Sequence, residues 1–129
     1  QSIKVTDRAV AIPGFKLALQ HLKTPGNKKG SMDSGPGYFH LDKAKLIFPL
    51  TLRKWVPGDH FYPLGMKGKK KISDFLTDKK ISRPEKEKTY VLLSQNEIVC
   101  LLGHRIDDRY KVTDDTVEIF RIELVQQDE

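Results

Sequence analysis

The chain contains a single cysteine and few of the patterns on which secreted or membrane proteins depend. Cys100 cannot form an internal disulfide, and its place in the apolar run NEIVCLLG is typical of a buried core residue rather than a reactive thiol. This scarcity of cysteine favours a cytoplasmic location. No apolar run approaches the roughly 20 residues of a membrane-spanning helix, and the first residues lack signal-peptide features. Because the chain does not begin with Met, we expect it to be part of a longer protein.

The chain also lacks the side-chain groupings that carry catalysis or bind metals. Its four histidines are scattered without ligand spacing, which argues against a metal site. The acidic pairs Asp107-Asp108 and Asp114-Asp115 have no nucleophile beside them, and adjacent residues of a strand point to opposite faces. No nucleophile elbow is present. We therefore predict no catalytic residue, no metal and no cofactor within this chain.

What the sequence does contain is an excess of basic residues concentrated in one segment. The formal net charge is +6, with a pI near 9.4. Residues 67–88 hold nine basic and four acidic residues, which accounts for +5 of that excess. A localised basic patch favours an anionic partner. An isolated run of lysines is more often a solvated face, so both interpretations stay open at this point.

The stretch GMKGKKKISDFL, which opens the basic segment, does not match a nucleotide-binding loop. A P-loop needs GxxxxGK[ST] after a buried strand, and here the two glycines are three residues apart with no Ser or Thr after the lysine. The GxxG of KH domains matches in letters, but the flanking order of helices is wrong for that fold. What remains is a turn at Gly65 and Gly68 that leads three lysines to the N-terminus of a predicted helix, where phosphates are favoured.

The pattern of apolar residues predicts mostly strands. Residues 1–22 indicate two short strands with a turn at Pro13-Gly14, and residues 23–38 indicate a mobile loop. Strict alternation from Leu46 predicts a strand that ends near Trp55, in which Pro49 indicates an edge position or a bulge.

The second half of the chain adds helix and hairpin signals. SDFLTDKK predicts a short helix with Ser73 as its N-cap, and Pro84 starts another helical turn. A hairpin is predicted around residues 94–96, followed by a last strand over residues 116–125. Strands outnumber helices, so we predict a β-rich α+β domain with one main helix. Trp55, Phe61 and Tyr62 could stack on bases, but aromatic residues at this spacing more often pack a core.

Two longer strings resemble the C-terminal domain of bacterial tRNA(Ile)-lysidine synthase. The first is R-x-W-x-PGD-x-F-x-PLGM-x-G-x-KK-x-SDFL-x-DKK-I, and the second is G-x-RID-x-R-x-KVT. The resemblance divides the chain into an N-terminal extension (1–44), the domain itself (45–125) and a short tail (126–129). It implies a small β-sandwich similar to a domain of the phenylalanyl-tRNA synthetase β-chain. The family often has Pro where this chain has Ser82, which we expect to loosen the turn slightly.

The resemblance also implies a function. Its parent enzyme uses ATP, with Mg, to join lysine to the wobble cytidine of an isoleucine tRNA. Catalysis belongs to an N-terminal PP-loop ATPase domain whose SGG-x-DS signature is absent here, so this chain should not catalyse the reaction alone. The implied partners are that catalytic domain and tRNA(Ile), contacted on the backbone of its acceptor stem.

Phosphate contacts are therefore predicted for eight basic residues. These are Lys69, Lys70, Lys71, Lys79, Lys80 and Arg83, with Arg105 and Arg109 as secondary candidates. The alternative is a module that docks on the catalytic domain or forms a homodimer and touches RNA little. An independent enzyme has no supporting residues.

Overall fold

The computed structural model describes residues 2–6, 8–23 and 37–127. Within this part, eleven strands and two short helices form a β-rich domain. The strands are β1 (Ile3–Val5), β2 (Val10–Ile12), β3 (Phe15–Lys23), β4 (Tyr38–Asp42), β5 (Leu50–Lys54), β6 (His60–Phe61), β7 (Lys70–Lys71), β8 (Tyr90–Ser94), β9 (Glu97–Leu101), β10 (Arg105–Ile106) and β11 (Glu118–Gln126), and the helices are α1 (Ile72–Asp78) and α2 (Arg83–Glu87).

Two antiparallel sheets enclose the main core. One has the order β1-β5-β8-β9-β10, and the other has the order β2-β3-β11-β4. Leu52 and Leu92 of the first sheet share one buried apolar cluster with Leu17, Leu41 and Phe120 of the second. Burial of such side chains from two facing sheets is the driving force of a β-sandwich.

Helix α1 forms a third layer on the far face of the five-stranded sheet. In β8, Leu92 joins the core between the sheets, whereas Val91 and Leu93 join a second cluster with Phe75 and Leu76 of α1. Since successive residues of a strand point to opposite faces, β8 is covered on both sides. This explains why its sequence is continuously apolar instead of alternating. The predicted β-rich α+β fold is confirmed.

The residues before position 45 take part in both sheets. The sequence predicts two strands within residues 1–22, but three begin there: β1 pairs with β5, and β2 and β3 make a hairpin. The predicted turn at Pro13-Gly14 is present, with Gly14 at φ +84°. Strands β3 and β4 lie on either side of β11, so the predicted division at 44/45 falls inside a shared sheet. Most of the predicted loop, residues 24–36, lies outside the described residues.

The strand predicted from Leu46 is shorter than expected. A 3-10 turn covers Lys43–Lys45, and β5 starts only at Leu50, after a cis peptide bond between Phe48 and Pro49. Proline has no N–H to donate to a ladder, so pairing starts after it. The edge position predicted for Pro49 is wrong, because β5 lies between β1 and β8.

The hairpin and the last strand agree with the sequence pattern. Strands β8 and β9 are joined by Gln95 and Asn96, with Gln95 at φ +55°. The strand predicted over residues 116–125 corresponds to β11, one of the two inner strands of the four-stranded sheet.

Candidate nucleic-acid interface

Helix α1 carries the predicted phosphate-binding residues at both of its ends. It begins two residues earlier than the predicted cap at Ser73 implies, because Ile72 is buried and its N–H donates to the carbonyl of Asp59 at 2.9 Å. Lys71 is the N-cap residue and makes no side-chain cap, so the prediction that Ser73 caps the helix is wrong. With only seven residues, α1 does not define a phosphate site by its N-terminus alone.

The C-terminal end of α1 is closed by a Schellman motif. The N–H of Lys80 donates to the carbonyl of Thr77 at 2.9 Å, and that of Ile81 donates to the carbonyl of Leu76 at 3.0 Å. Lys80 has φ +58°, a left-handed conformation that glycine usually occupies. Ile81 packs against the cluster beneath α1. The motif therefore fixes the backbone of Lys80 while leaving its side chain exposed.

Helix α2 braces this end of α1. The Ser82 hydroxyl accepts a hydrogen bond from the N–H of Glu85 at 3.4 Å, so Ser82 caps α2. The slight loosening expected relative to proline stays a prediction. The Lys86 ammonium donates to the Thr77 hydroxyl at 3.0 Å, and the Trp55 indole N–H donates to the carbonyl of Lys86 at 2.7 Å. Sequence reasoning missed this connecting role of Lys86, because it depends on how two helices meet.

The aromatic residues of the PGD segment have structural roles. Trp55 is half-buried and packs against the cluster beneath α1. Phe61 is fully buried, and Tyr62 lies under the guanidinium of Arg109 at 4.3 Å. None of the three is placed as an open stacking surface for a base.

Asp59 of the same segment fixes the turn that leads into α1. Its carboxylate accepts two hydrogen bonds from Arg53, at 2.8 and 3.1 Å, and a third from the N–H of Val56. Burial alone would raise the pKa of Asp59, but the hydrogen bonds from Arg53 and Val56 outweigh burial and lower it. This pair explains why the Arg and the PGD occur together in the motif.

Three of the eight predicted phosphate-binding residues are paired with carboxylates. Lys70 forms an ion pair with Asp78 at the end of α1. Arg83, which is almost fully exposed, lies 3.9 Å from Glu87. Arg109 contacts the fully buried carboxylate of Asp107 at 3.0 Å.

Arg109 therefore has a structural task. The Asp107 carboxylate also accepts the N–H groups of Tyr62 and Arg109. A second carboxylate, Glu97, contacts Arg109 at 3.3 Å and accepts a hydrogen bond from the Tyr110 hydroxyl. Burial, followed by this hydrogen bond, raises the pKa of Tyr110 to about 12. The guanidinium of Arg109 thus bridges two carboxylates, those of Asp107 and Glu97.

The other five predicted residues have no such partner. Among the described residues, none places a carboxylate oxygen within 4.0 Å of Lys69, Lys71, Lys79, Lys80 or Arg105. Two of the five contact the same side chain, since Lys79 and Arg105 both lie over the ring of Phe75. The structure thus brings together residues 26 positions apart in sequence, which composition could not show.

The described part of the chain offers no metal-binding group. No three His, Cys, Asp or Glu side chains there come together in a way that could hold a metal ion. Cys100 is a free thiol in the core, and burial raises its pKa, which makes the thiolate scarce. No described helix has the length and apolar character needed to span a membrane.

Comparison with known proteins agrees with the sequence motifs. The sequence profile of the family described as TilS substrate C-terminal domain matches residues 50–124. The tRNA(Ile)-lysidine synthase of Parabacteroides distasonis is 46% identical over 86 residues, which cover 67% of this chain and 20% of that protein. That of Dehalococcoides mccartyi is 33% identical over 113 residues, covering 88% of this chain and 24% of that protein.

The chain spans about a fifth of the length of the first two curated relatives it matches. A crystal structure described as the TILS C-terminal domain has a similar fold, with a TM-score of 0.78, 16% identity and full coverage of both chains. The fold and the profile match agree with the prediction made from the motifs. The profile covers more than half of the chain, and the protein therefore belongs to the TilS substrate C-terminal domain family.

Proposed function

We propose that this chain is a non-catalytic tRNA-binding module of a tRNA(Ile)-lysidine synthase. The observation that carries the proposal is the group of five basic residues around α1 that have no carboxylate partner among the described residues: Lys69, Lys71, Lys79, Lys80 and Arg105. Cations that are not neutralised by the protein are the ones free to replace the counterions of an RNA backbone. The RNA is proposed to be a tRNA, because the curated relatives are named tRNA(Ile)-lysidine synthase.

The parent enzyme would join lysine to the wobble cytidine of an isoleucine tRNA. ATP and Mg would be bound by the N-terminal PP-loop domain, whose SGG-x-DS signature this chain lacks. The chain alone should therefore neither form AMP from ATP nor modify tRNA. The single buried cysteine is compatible with a cytoplasmic enzyme.

The mode of recognition follows from the residue types. Lysine ammonium groups are flexible point charges, and they contact phosphates without reading the base. An A-form stem hides its base edges in a deep, narrow major groove. The module should therefore recognise the shape and the backbone of the acceptor stem, while the anticodon occupies the distant catalytic domain.

Charge reversal in the full-length enzyme tests this function. The double variant Lys71→Glu/Lys80→Glu should bind tRNA(Ile) at least tenfold more weakly at low salt, because reversal replaces phosphate contacts by repulsion. Altered stem sequences should not change that loss. The matched control is Lys16→Glu/Lys23→Glu, because both lysines are exposed on β3 of the other sheet. Equal affinity of the two variants would favour the docking or dimerisation module instead.

A further inference from the structure

Two cations from different parts of the chain converge on one aromatic ring. The Arg105 guanidinium lies 5.3 Å from the centre of the Phe75 ring, and the Lys79 ammonium lies 5.6 Å from it. The two charged groups are therefore at most about 11 Å apart. Each cation is attracted by the electron-rich face of the ring, which places both groups at the end of α1.

The ring that holds them is rigid. Phe75 is 2% exposed and packs edge-on against Phe61, with ring centres 5.4 Å apart. Arg105 is held from its other side, since its guanidinium donates to the carbonyl of Leu64 at 3.2 Å. That bond uses one of the five N–H donors of the guanidinium, and the described residues supply no carboxylate for the rest.

We propose that Lys79 and Arg105 together bind a single phosphate group of the RNA backbone. This inference rests on the proposed tRNA-binding function and names the main contact within it. A guanidinium can bind two phosphate oxygens at once, and an ammonium can contact a third as a point charge. The site thus joins β10 to the end of α1, and its two cations act as a unit.

A double-mutant cycle in the full-length enzyme tests the shared phosphate. Lys79→Gln and Arg105→Gln should each weaken binding of the tRNA about tenfold at low salt, the loss of one charge-assisted hydrogen-bonded contact. The double variant should be little weaker than the worse single variant, because contacts to one group are not additive. The slope of log affinity against log salt should flatten by about one unit in all three variants.

Other outcomes overturn the inference in distinguishable ways. Losses that multiply, with a slope change of about two units in the double variant, would show two separate phosphates. Wild-type affinity in both single variants, while Lys71→Glu/Lys80→Glu still weakens binding, would remove this site and leave the proposed function standing. Full affinity in every one of these variants would contradict both the shared phosphate site and the proposed tRNA-binding function. Thermal unfolding of each variant should stay close to wild type, since neither side chain pairs with a buried charge and the bond of Arg105 to Leu64 is exposed.

Discussion

Lys70 and Asp78 form an ion pair along α1, from the strand that precedes the helix to the last helical residue. This pair divides the basic segment into cations that the protein neutralises and cations that it leaves available. The lysine run in the sequence therefore overstates what a partner can contact. We therefore expect availability, rather than the number of positive charges, to decide which residues bind phosphates.

Breaking this pair from its acidic side should strengthen tRNA binding. Asp78→Asn frees the Lys70 ammonium and removes a negative charge beside the proposed phosphate contacts of the tRNA. We expect a severalfold higher affinity at low salt and a salt dependence steeper by almost one unit. The stability should change by less than about 1 kcal/mol, because Asp78 is exposed. Binding assays with the full-length enzyme measure both quantities.

Asp115→Asn is the matched control for that variant. It removes the same charge from an exposed residue outside the basic segment, and its effect on affinity should be much smaller. Weaker binding by Asp78→Asn than by wild type would show that the ion pair, as an intact unit, belongs to the interface.

Phe75 should be essential to the stability of the chain as well as to its surface. Phe75→Ala removes a buried ring from the cluster between α1 and the five-stranded sheet, and should lower the free energy of unfolding by about 3–5 kcal/mol. Urea unfolding of this chain measures the loss. Unchanged stability would mean that α1 is not packed on the sheet as described, and that the basic residues lack a rigid support.

Arg109 and Arg83 should behave differently although both were predicted phosphate contacts. Arg109→Ala leaves the buried Asp107 carboxylate without its guanidinium, and should cost about 2–4 kcal/mol of folding free energy. Arg83→Ala removes an exposed pair and should cost less than about 1 kcal/mol. The midpoints of urea unfolding of the two variants, each compared with wild type, measure this difference in stability. Similar midpoints would place Arg109 among the freely available cations.

The stability of the chain should fall in acid partly through Asp59. Its folded-state pKa is lowered, so the Arg53–Asp59 pair stabilises the fold above the ordinary carboxyl pKa of about 3.9. That contribution is lost as the pH falls through the lower, folded-state value. Asp59→Asn should therefore be less stable at pH 7 and show a flatter decline below pH of about 4. A decline as steep as in wild type would assign the acid sensitivity to other carboxylates.

The sequence predicts the parts of this fold that depend on local pattern. The mostly apolar residues on either side of positions 94–96 predict the hairpin of β8 and β9, and SDFLTDKK predicts helix α1. Long ordered motifs identify the family. These features succeed because the periodicity of apolar residues follows directly from which side of an element is covered.

Side-chain partners across elements could not be predicted in the same way. Nothing in the spacing of Lys79 and Arg105 shows that both would meet Phe75, since this depends on how β10 approaches α1. The start of α1 was misplaced because the buried Ile72, through its bond to Asp59, outweighs the capping preference of Ser73. Tertiary packing overrides local preference in both cases.

The central claim is that unpaired cations, and not total charge, hold the RNA. Two triple variants of the full-length enzyme each lose three positive charges. One replaces Lys69, Lys71 and Lys80, which have no carboxylate partner among the described residues, by Gln, and the other replaces Lys70, Arg83 and Lys111, which pair with carboxylates, by Gln. The readout is the slope of log affinity for tRNA(Ile) against log salt.

The account predicts that the slope flattens by almost three units in the first triple variant and by less than about one unit in the second. Thermal unfolding of each variant, followed in parallel, separates loss of contacts from loss of fold. Equal flattening in the two triple variants would contradict the account, because only the number of charges would then matter.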